Sequence, residues 1–217
     1  MAGVKLAVFD CDGTLVDGQA EVCAAMAHAF QEAGLPAPSS HDVRRIVGLS
    51  LPQAVARLAP AASAEATARA VDAYKGAFRL AREEGRLQEP LYDGIAPMLR
   101  RLHADGWLLG VATGKSDRGL AACLATHGLA DLFVTLQTAD RHPSKPHPAM
   151  LEAALAQVGA QPEDAAMIGD TVFDMAMAEA AGVRALGVSW GYHERAELIA
   201  AGAAAVVDSP AELEGLL

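Results

Sequence analysis

Val4-Lys5-Leu6-Ala7-Val8-Phe9-Asp10-Cys11-Asp12-Gly13-Thr14 is an apolar run that ends abruptly in two carboxylates, a glycine and a threonine. A short run of Val, Leu and Phe with one early lysine is typical of a buried parallel strand. The polar Asp-x-Asp-Gly-Thr follows where such a strand leaves the sheet. Because open α/β sheets bind ligands at the carboxyl ends of their strands, this stretch predicts a site as well as a strand.

Length and composition restrict the class of protein. The 217 residues suffice for one substantial core, or for one domain with a smaller insertion. A net charge of −10 argues against a nucleic-acid partner, and the absence of a long apolar run argues against a membrane partner. Three cysteines without a C-x-x-C pair favour a reducing compartment over a disulfide framework or a zinc site. Since the sequence has no secretory signal pattern, we expect a cytoplasmic protein, either a monomer or a homodimer.

The pattern after Asp17 is helical for roughly seventy residues, which is far longer than a strand-to-helix turn requires. Glycine and proline residues interrupt this helical pattern at the expected helix ends. The helices are predicted at residues 21–33, 39–47, 51–58 and 63–84. We therefore predict a four-helix cap domain at residues 17–90, inserted into a core domain formed by residues 1–16 and 91–217.

Strands and helices alternate from Tyr92 onward. Strands are predicted at residues 107–113, 132–136, 165–170, 183–188 and 204–207, and helices at residues 95–104, 148–158, 175–181 and 210–217. Such alternation is typical of right-handed βαβ units. The predicted fold class is α/β, with a Rossmann-like parallel sheet covered by helices on both faces.

Polar residues follow several of these predicted strands, and the carboxyl ends of parallel strands share one edge of the sheet. The acidic ones are Asp10, Asp12, Asp170 and Asp174. Carboxylates gathered in one cleft repel each other unless a cation neutralises them. An all-oxygen site with few protein ligands suits Mg²⁺.

Lys145 and Thr113 add two further functions at the same edge. Lys145 supplies a positive charge, and Thr113 precedes the backbone N–H groups at the start of the next helix, which can hold a phosphate. A carboxylate nucleophile, a second carboxylic acid, a metal and a lysine together describe phosphoryl transfer.

These motifs identify a family resemblance that covers nearly the whole chain. Their order and context resemble the four motifs of the haloacid dehalogenase superfamily: Asp10-x-Asp12-Gly13-Thr14, Thr113, Lys145-Pro146 and Gly169-Asp170-x-x-x-Asp174. Tyr92-Asp93-Gly94, Ala112-Thr113-Gly114-Lys115-Ser116 and Lys145-Pro146-His147-Pro148 further resemble the phosphoglycolate-phosphatase-like branch, which has a helical cap of the C1 type after the first strand.

The resemblance implies a role for each matching residue. Asp10 would attack phosphorus and form an aspartyl-phosphate, and Asp12 would be the general acid and later the base. Mg²⁺ would be held by Asp10, the backbone carbonyl of Asp12 and Asp170, with Asp174 supporting either that metal shell or Lys145. Phosphoryl oxygens would bind to Thr113 and to the amide of Gly114. The acid at Asp12 favours phosphate chemistry, because dehalogenases of the superfamily lack it.

The implied function is a Mg²⁺-dependent phosphatase acting on a small phosphorylated metabolite, with phosphoglycolate the first substrate to test. A phosphomutase or a pyrophosphatase with the same nucleophile is the alternative within catalysis. The related β-phosphoglucomutases carry an arginine where this chain has Leu51, which disfavours the mutase. A non-catalytic phosphate-binding protein is the alternative from another class.

Substrate choice is expected to depend on the cap, near the helix break Gly48-Leu49-Ser50. Arg45, just before the break, is a candidate to bind a substrate carboxylate. The alternative is that Arg44 and Arg45 are both solvated helix residues.

Gly114-Lys115-Ser116 resembles part of a P-loop, but its spacing does not fit. Gly110 and Gly114 enclose three residues where that loop needs four. We therefore expect Lys115 to be a solvated or rim residue.

Overall fold

The computed structural model describes residues 4–217, so the first three residues of the predicted core range 1–16 lie outside the described residues. Within them the strands are β1 (Leu6–Phe9), β2 (Leu108–Thr113), β3 (Phe133–Thr138), β4 (Ala165–Gly169), β5 (Arg184–Val188) and β6 (Ala205–Val207). They form one sheet in the order β3-β2-β1-β4-β5-β6, and every adjacent pair is parallel. The predicted α/β class with a parallel sheet is confirmed.

Ten α-helices are present in the described part of the chain. They are α1 (Gln19–Glu32), α2 (Ser40–Arg44), α3 (Leu51–Leu58), α4 (Ala64–Glu83), α5 (Ile95–Ala104), α6 (Asp117–Thr126), α7 (Ala149–Val158), α8 (Val172–Ala180), α9 (Arg195–Ala200) and α10 (Pro210–Glu214). Among residues 4–217, no helix is both long and apolar enough to span a membrane.

The sheet is covered by helices on both faces, which explains why β1 is apolar at every position. Ala7 and Phe9 pack into the cluster that contains side chains of α5, α6 and α10. Leu6 and Val8 point the opposite way, into the cluster that contains side chains of α7, α8 and α9. Alternate strand residues face opposite sides, so burial on both faces demands an unbroken apolar run.

Four helices differ from the sequence-based expectation by three residues or more. Two of them, α2 and α10, end three residues earlier than predicted, at Arg44 and Glu214. The pattern did not predict α9, a six-residue helix in an alanine-rich segment. Helix α8 begins three residues earlier than predicted, because Thr171 and Asp174 form a reciprocal capping box. The Thr171 hydroxyl accepts from the Asp174 amide at 3.4 Å, and Asp174 Oδ2 accepts from the Thr171 amide at 3.1 Å.

Helices α1 to α4 lie between β1 and α5 in the chain and have an apolar cluster of their own. Met26 and Phe30 of α1, Val55 of α3 and Ala70 of α4 are buried in it, together with Phe173 from α8. The chain enters and leaves this helical segment along two adjacent paths. The Asp17 amide donates to the Pro90 carbonyl at 2.8 Å, and the Tyr92 amide donates to the Leu15 carbonyl at 3.1 Å.

If residues 17–90 form a separate domain, a cavity in the α1–α4 cluster will destabilise that part selectively. We predict that Phe30→Ala costs about 3–5 kcal/mol, because Phe30 is only 1% exposed. In native-state hydrogen exchange the amides of α1 and α4 should lose protection while those of β1 and β4 keep it. Leu99→Ala, in the sheet cluster, is the matched control. Equal loss of protection in both parts for Phe30→Ala would contradict a separate domain.

Candidate active site

Most of the predicted site residues converge at the carboxyl edge formed by strands β1, β2, β3 and β4. Asp10 directly follows β1, Thr113 ends β2 and Asp170 directly follows β4. Lys145 lies in the connection between β3 and α7. The strand order reverses direction at β1, and the crevice beside such a switch point is where open α/β sheets bind ligands.

Lys145 is completely buried and is held between two carboxylates. Its Nζ lies 3.0 Å from Asp10 Oδ1 and 2.6 Å from Asp174 Oδ1. Burial alone lowers the pKa of Lys145, but the two carboxylates outweigh it and raise the pKa above its ordinary value. Lys145 is therefore a fixed positive charge in the floor of the site.

The acidic cluster consists of Asp10, Asp170 and Asp174, which each offer a carboxylate oxygen within 4.8 Å of the others. Burial and the neighbouring charge of Asp174 raise the pKa of Asp10 to about 7, against the opposing effect of Lys145. Burial and Asp10 likewise raise the pKa of Asp170 well above its ordinary value. One lysine thus does not fully compensate the negative charge of this cluster.

Asp170 is oriented by hydrogen bonds from two different loops. Its Oδ1 accepts from the Thr14 hydroxyl at 2.8 Å, and its Oδ2 accepts from the Tyr192 amide at 2.9 Å. Gly13, with φ of +84°, allows the loop after β1 to pass close by, because a Cβ there would lie 2.2 Å from Asp170 Oδ2. The Asp-Gly-Thr part of the first motif therefore positions an acid that lies far away in sequence.

The cluster fits a divalent cation. Asp10 Oδ2 is buried and has no hydrogen-bond partner among residues 4–217, so an oxygen is left over to bind a ligand. Asp174 differs, since its Oδ1 accepts from Lys145 and its Oδ2 from the Thr171 hydroxyl at 2.7 Å. Those contacts favour the second of the two roles expected for Asp174, the support of Lys145.

Asp12 lies beside a lysine that the sequence did not predict to be buried. Lys115 Nζ is 3.0 Å from Asp12 Oδ1 and 2.5 Å from Glu89 Oε1, and only 10% of its side chain is exposed. Burial lowers the pKa of Lys115, but Asp12 and the other nearby groups raise it well above its ordinary value overall. The expectation of a solvated or rim position for Lys115 is wrong, because Glu89 and Asp12 together supply a buried countercharge.

Glu89 was missed by the sequence analysis. It lies in the segment that returns the chain from α4 to the core, and 6% of its side chain is exposed. The sequence offers only an indirect indication of its place. The segment that returns from α4 must pass the end of β1, because the chain left the sheet at that point. A glutamate in it can therefore approach a lysine that follows Thr113.

Thr113 and Gly114 lie where the segment after α2 meets the edge of the sheet. Thr113 is 1% exposed, and its hydroxyl accepts from the Lys115 amide at 3.3 Å. A Cβ on Gly114 would lie 2.6 Å from the Leu49 carbonyl oxygen, so this close approach requires a glycine. The Ser50 amide also donates to the Ser144 hydroxyl at 2.7 Å, next to Lys145.

Arg45 is the predicted site residue that the structure does not bring to the others. Its guanidinium donates to both carboxylate oxygens of Glu197 in α9, at 2.7 and 2.6 Å. This bidentate pair joins the segment after α2 to α9, and the hydrogen bond from Arg45 lowers the pKa of Glu197 to about 2. Arg45 does not line the cavity described next, since its guanidinium is directed at Glu197 instead.

A cavity of about 470 Å³ lies between helices α1, α3 and α4 and the strand edge. Asp10, Asp12, Thr113 and Gly114 line it at the strand edge, and residues 48–50 of the break between α2 and α3 also line it. Its volume falls within the range of roughly 300–1,000 Å³ found for sites that enclose small molecules. The cavity thus has room for more than a phosphate group.

Comparisons with known proteins identify the class. A family model described as haloacid dehalogenase-like hydrolase matches residues 4–182. The chain is 36% identical over 215 residues to a protein named Probable phosphatase IndB of Dickeya dadantii strain 3937, covering 97% of this chain and 92% of the relative. A protein named Phosphoglycolate phosphatase of Vibrio vulnificus strain CMCP6 is 29% identical over 218 residues, covering 97% and 94%.

A solved structure supports the same family. A haloacid dehalogenase-like family hydrolase from Streptococcus pneumoniae aligns with a TM-score of 0.84 at 26% identity, covering 100% of this chain and 99% of the other. The chain therefore belongs to the haloacid dehalogenase-like hydrolases. It is an enzyme of that family, and the similarity to the phosphoglycolate-phosphatase-like branch that the motifs predicted is confirmed.

Removal and addition of Mg²⁺ test the acidic cluster without an activity assay. We predict that MgCl₂ raises the thermal midpoint, since a ligand at a hundred times its Kd stabilises the folded state by about 2.7 kcal/mol. EDTA should reverse the shift, and Asp170→Asn should abolish it. A midpoint that rises equally in Asp170→Asn would contradict a metal site at these carboxylates.

The buried contacts of Lys115 can be tested by denaturant unfolding. We predict that Lys115→Met destabilises the protein by about 3–5 kcal/mol, because Glu89 and Asp12 are left buried without a countercharge. Lys115→Met combined with Glu89→Gln should recover part of that loss. Arg69→Met, which breaks the exposed pair with Glu65, is the control and should change stability by no more than about 1 kcal/mol. Equal effects of the two methionine substitutions would contradict the buried network.

Proposed function

We propose that the protein is a Mg²⁺-dependent phosphatase that hydrolyses a small phosphomonoester through an aspartyl-phosphate on Asp10. The main support for the proposal is the environment of Asp10 Oδ2. This oxygen is buried, has no hydrogen-bond partner within residues 4–217 and belongs to a side chain that lines the cavity. A carboxylate that is oriented through one oxygen and unpartnered at the other is suited to act as a nucleophile.

Asp10 is held in place through its other oxygen. Oδ1 accepts from the Cys11 amide at 2.6 Å and lies 3.0 Å from Lys145 Nζ. In the first step an Asp10 oxygen forms a bond to phosphorus while the bond from phosphorus to the leaving oxygen breaks. Asp12 donates its proton to that leaving oxygen, so the alcohol departs neutral.

The second step returns the enzyme to its starting state. Asp12, now deprotonated, takes a proton from water as the water oxygen bonds to phosphorus. The bond between phosphorus and Asp10 breaks, and inorganic phosphate leaves with Asp10 again a carboxylate. Asp12 is thereby ready to donate a proton in the next cycle.

The remaining residues neutralise and orient the phosphoryl group. Thr113 and the amide of Gly114 would bind its oxygens, and Lys145 would offset their charge. A Mg²⁺ ion held by Asp10, the Asp12 backbone carbonyl and Asp170 would act as a Lewis acid toward the same oxygens.

Relatives support the substrate class. The names of two of them, Probable phosphatase IndB and Phosphoglycolate phosphatase, favour a small phosphomonoester over a halogenated acid, as does the acid at Asp12. Phosphoglycolate is therefore the first substrate to test. The proposed location is the cytoplasm, because three cysteines without a C-x-x-C pair favour a reducing compartment.

A phosphomutase or a pyrophosphatase would use the same nucleophile. Leu51, where the mutases carry an arginine, lines the cavity and offers no charge to a sugar phosphate. Phosphate release from a panel of small phosphomonoesters and pyrophosphate, with and without Mg²⁺, separates these reactions. Sugar-phosphate isomerisation without steady phosphate release would identify a mutase.

Two conservative substitutions test the roles of the paired aspartates. We predict that Asp10→Asn abolishes turnover of phosphomonoesters, because an amide is not a competent nucleophile here. Asp12→Asn should lower kcat by about 10²–10⁴, the usual effect of losing a general acid–base group. Both variants should remain folded by circular dichroism. Substantial phosphate release by purified Asp10→Asn would overturn the covalent mechanism.

A further inference from the structure

Lys115 and Glu89 form a buried ion pair beside Asp12, and the proposed reaction steps use neither of them. Lys115 Nζ lies 2.5 Å from Glu89 Oε1 and 3.0 Å from Asp12 Oδ1. The exposed fractions of the three side chains are 10% for Lys115, 6% for Glu89 and 13% for Asp12. Burial of charged groups costs free energy that their mutual attraction does not reliably return, so a contribution to stability is a weak explanation for this pair.

Both members of the pair are held in place by the surrounding structure. The backbone carbonyl of Glu89 accepts a hydrogen bond of 2.8 Å from Nε2 of His127, the residue that follows α6. The Phe78 ring of α4 lies 5.9 Å from Lys115 Nζ, a distance at which an ammonium group is attracted to an aromatic face. Lys115 itself lies just beyond the end of β2. The ammonium group is therefore fixed next to Asp12.

Asp12 Oδ1 is enclosed where the chain approaches α1. A Cβ on Gly18 would lie 3.1 Å from Asp12 Oδ1 and 3.6 Å from Glu89 Oε1. This Asp12 oxygen is buried and has no hydrogen-bond partner within residues 4–217, so the charge of Lys115 is what compensates it. Because Asp12 also lines the cavity, Lys115 holds one oxygen of a side chain that is available to a bound substrate.

The opposite charges of Lys115 and Glu89 suit a neighbour that must carry a proton. A lone lysine beside a carboxyl group favours the ionised form, whereas a lysine paired with a glutamate adds no net charge. An ammonium group 3.0 Å from Asp12 Oδ1 disfavours a proton on that oxygen. The protonated form of Asp12 therefore carries its proton on Oδ2, since a carboxylic acid has a single O–H group.

We propose that Lys115 and Glu89 are positioning residues for the general acid: Glu89 holds Lys115, and Lys115 orients Asp12 so that Oδ2 donates the proton to the leaving oxygen. This inference rests on the proposed function, because it adds positioning residues to that reaction. The O–H bond of Asp12 breaks as the leaving oxygen gains the proton, and the ammonium group of Lys115 keeps all of its own protons.

The dependence of hydrolysis on the leaving group tests the proposal, because protonation matters most when the leaving oxygen is strongly basic. We would measure kcat/KM in MgCl₂ for 4-nitrophenyl phosphate and for the alkyl phosphate that the wild type hydrolyses fastest. In Lys115→Met/Glu89→Gln, kcat/KM for the alkyl phosphate should fall by about tenfold or more. For 4-nitrophenyl phosphate, whose leaving phenolate needs little protonation, it should fall by less than about threefold. Equal falls for both substrates would overturn the inference.

The same substitutions in an Asp12→Asn background show whether the pair acts through Asp12. There Lys115→Met/Glu89→Gln should lower kcat/KM for the alkyl phosphate by less than about twofold, because the acid that the pair orients is already absent. A further fall of about tenfold in that background would contradict the inference, since the pair would then act on something other than Asp12.

Arg45→Gln is the matched control. It breaks the bidentate pair with Glu197, which also joins two distant segments, and Arg45 does not line the cavity. The ratio of the two kcat/KM values should therefore stay within about twofold of the wild-type ratio. Thermal midpoints check the fold of each variant. If Lys115→Met/Glu89→Gln does not fold, Lys115→Met/Glu89→Met takes its place, because apolar side chains often replace a buried ion pair without loss of stability.

Phosphate release by the wild type separates this inference from the proposed function. Phosphate release with a leaving-group ratio that is the same in the wild type and in Lys115→Met/Glu89→Gln overturns the inference alone. If the folded wild-type protein in MgCl₂ releases phosphate from no phosphomonoester, the proposed function is overturned, and the inference with it.

Discussion

The contact between Lys145 and the carboxylates of Asp10 and Asp174 is the constraint on which the rest of the site depends. Asp10 and Asp170 follow β1 and β4, and Asp174 lies in the first turn of α8; these three acids are buried within reach of one another, and repulsion between them opposes folding. Lys145, fully buried between two of them, supplies the protein's own compensation. Because one charge does not balance three, the cluster fits a further cation, and the proposed phosphatase reaction would use one.

Local backbone features position the charged side chains of the site. Gly13 lets the loop after β1 approach Asp170, and Thr14 then donates a hydrogen bond to it. The capping box of α8 holds Asp174 so that one of its oxygens faces Lys145. The same few residues therefore end a strand, begin a helix and set the charge of the site, which is why the motifs are short.

Helix α4 and the strand edge line the same cavity with opposite charges. The strand edge contributes Asp10 and Asp12, whereas α4 contributes cationic and aromatic side chains, namely Lys75, Arg79, Arg82, Tyr74 and Phe78. Lys115 lies between Glu89 and Asp12, and Arg45 joins the segment after α2 to α9 at another point. In the proposed function the strand edge would set the reaction type, and the helices that face it would set the choice of substrate.

The sequence predicts the parts of this arrangement that depend on neighbours in the chain. Strand β1, the convergence of strand ends and the first motif follow from an apolar run, alternation and spacing. Lys115, Glu89 and Arg45 depend on contacts with partners far away in sequence: Asp12 lies 103 positions before Lys115, and Glu197 lies 152 positions after Arg45. Charge and spacing alone do not specify such partners, so Lys115 was expected at the rim and Arg45 at the substrate.

Chemical trapping on the wild-type enzyme would detect the proposed covalent intermediate on Asp10. The protein is quenched with borohydride during turnover of a phosphomonoester in MgCl₂, which reduces an acyl-phosphate to an alcohol, and its peptides are then analysed by mass spectrometry. The account predicts homoserine in place of Asp10, present only when substrate and Mg²⁺ are both supplied. Reduction at a different residue, or an unmodified Asp10 in enzyme that is turning over substrate, would contradict it.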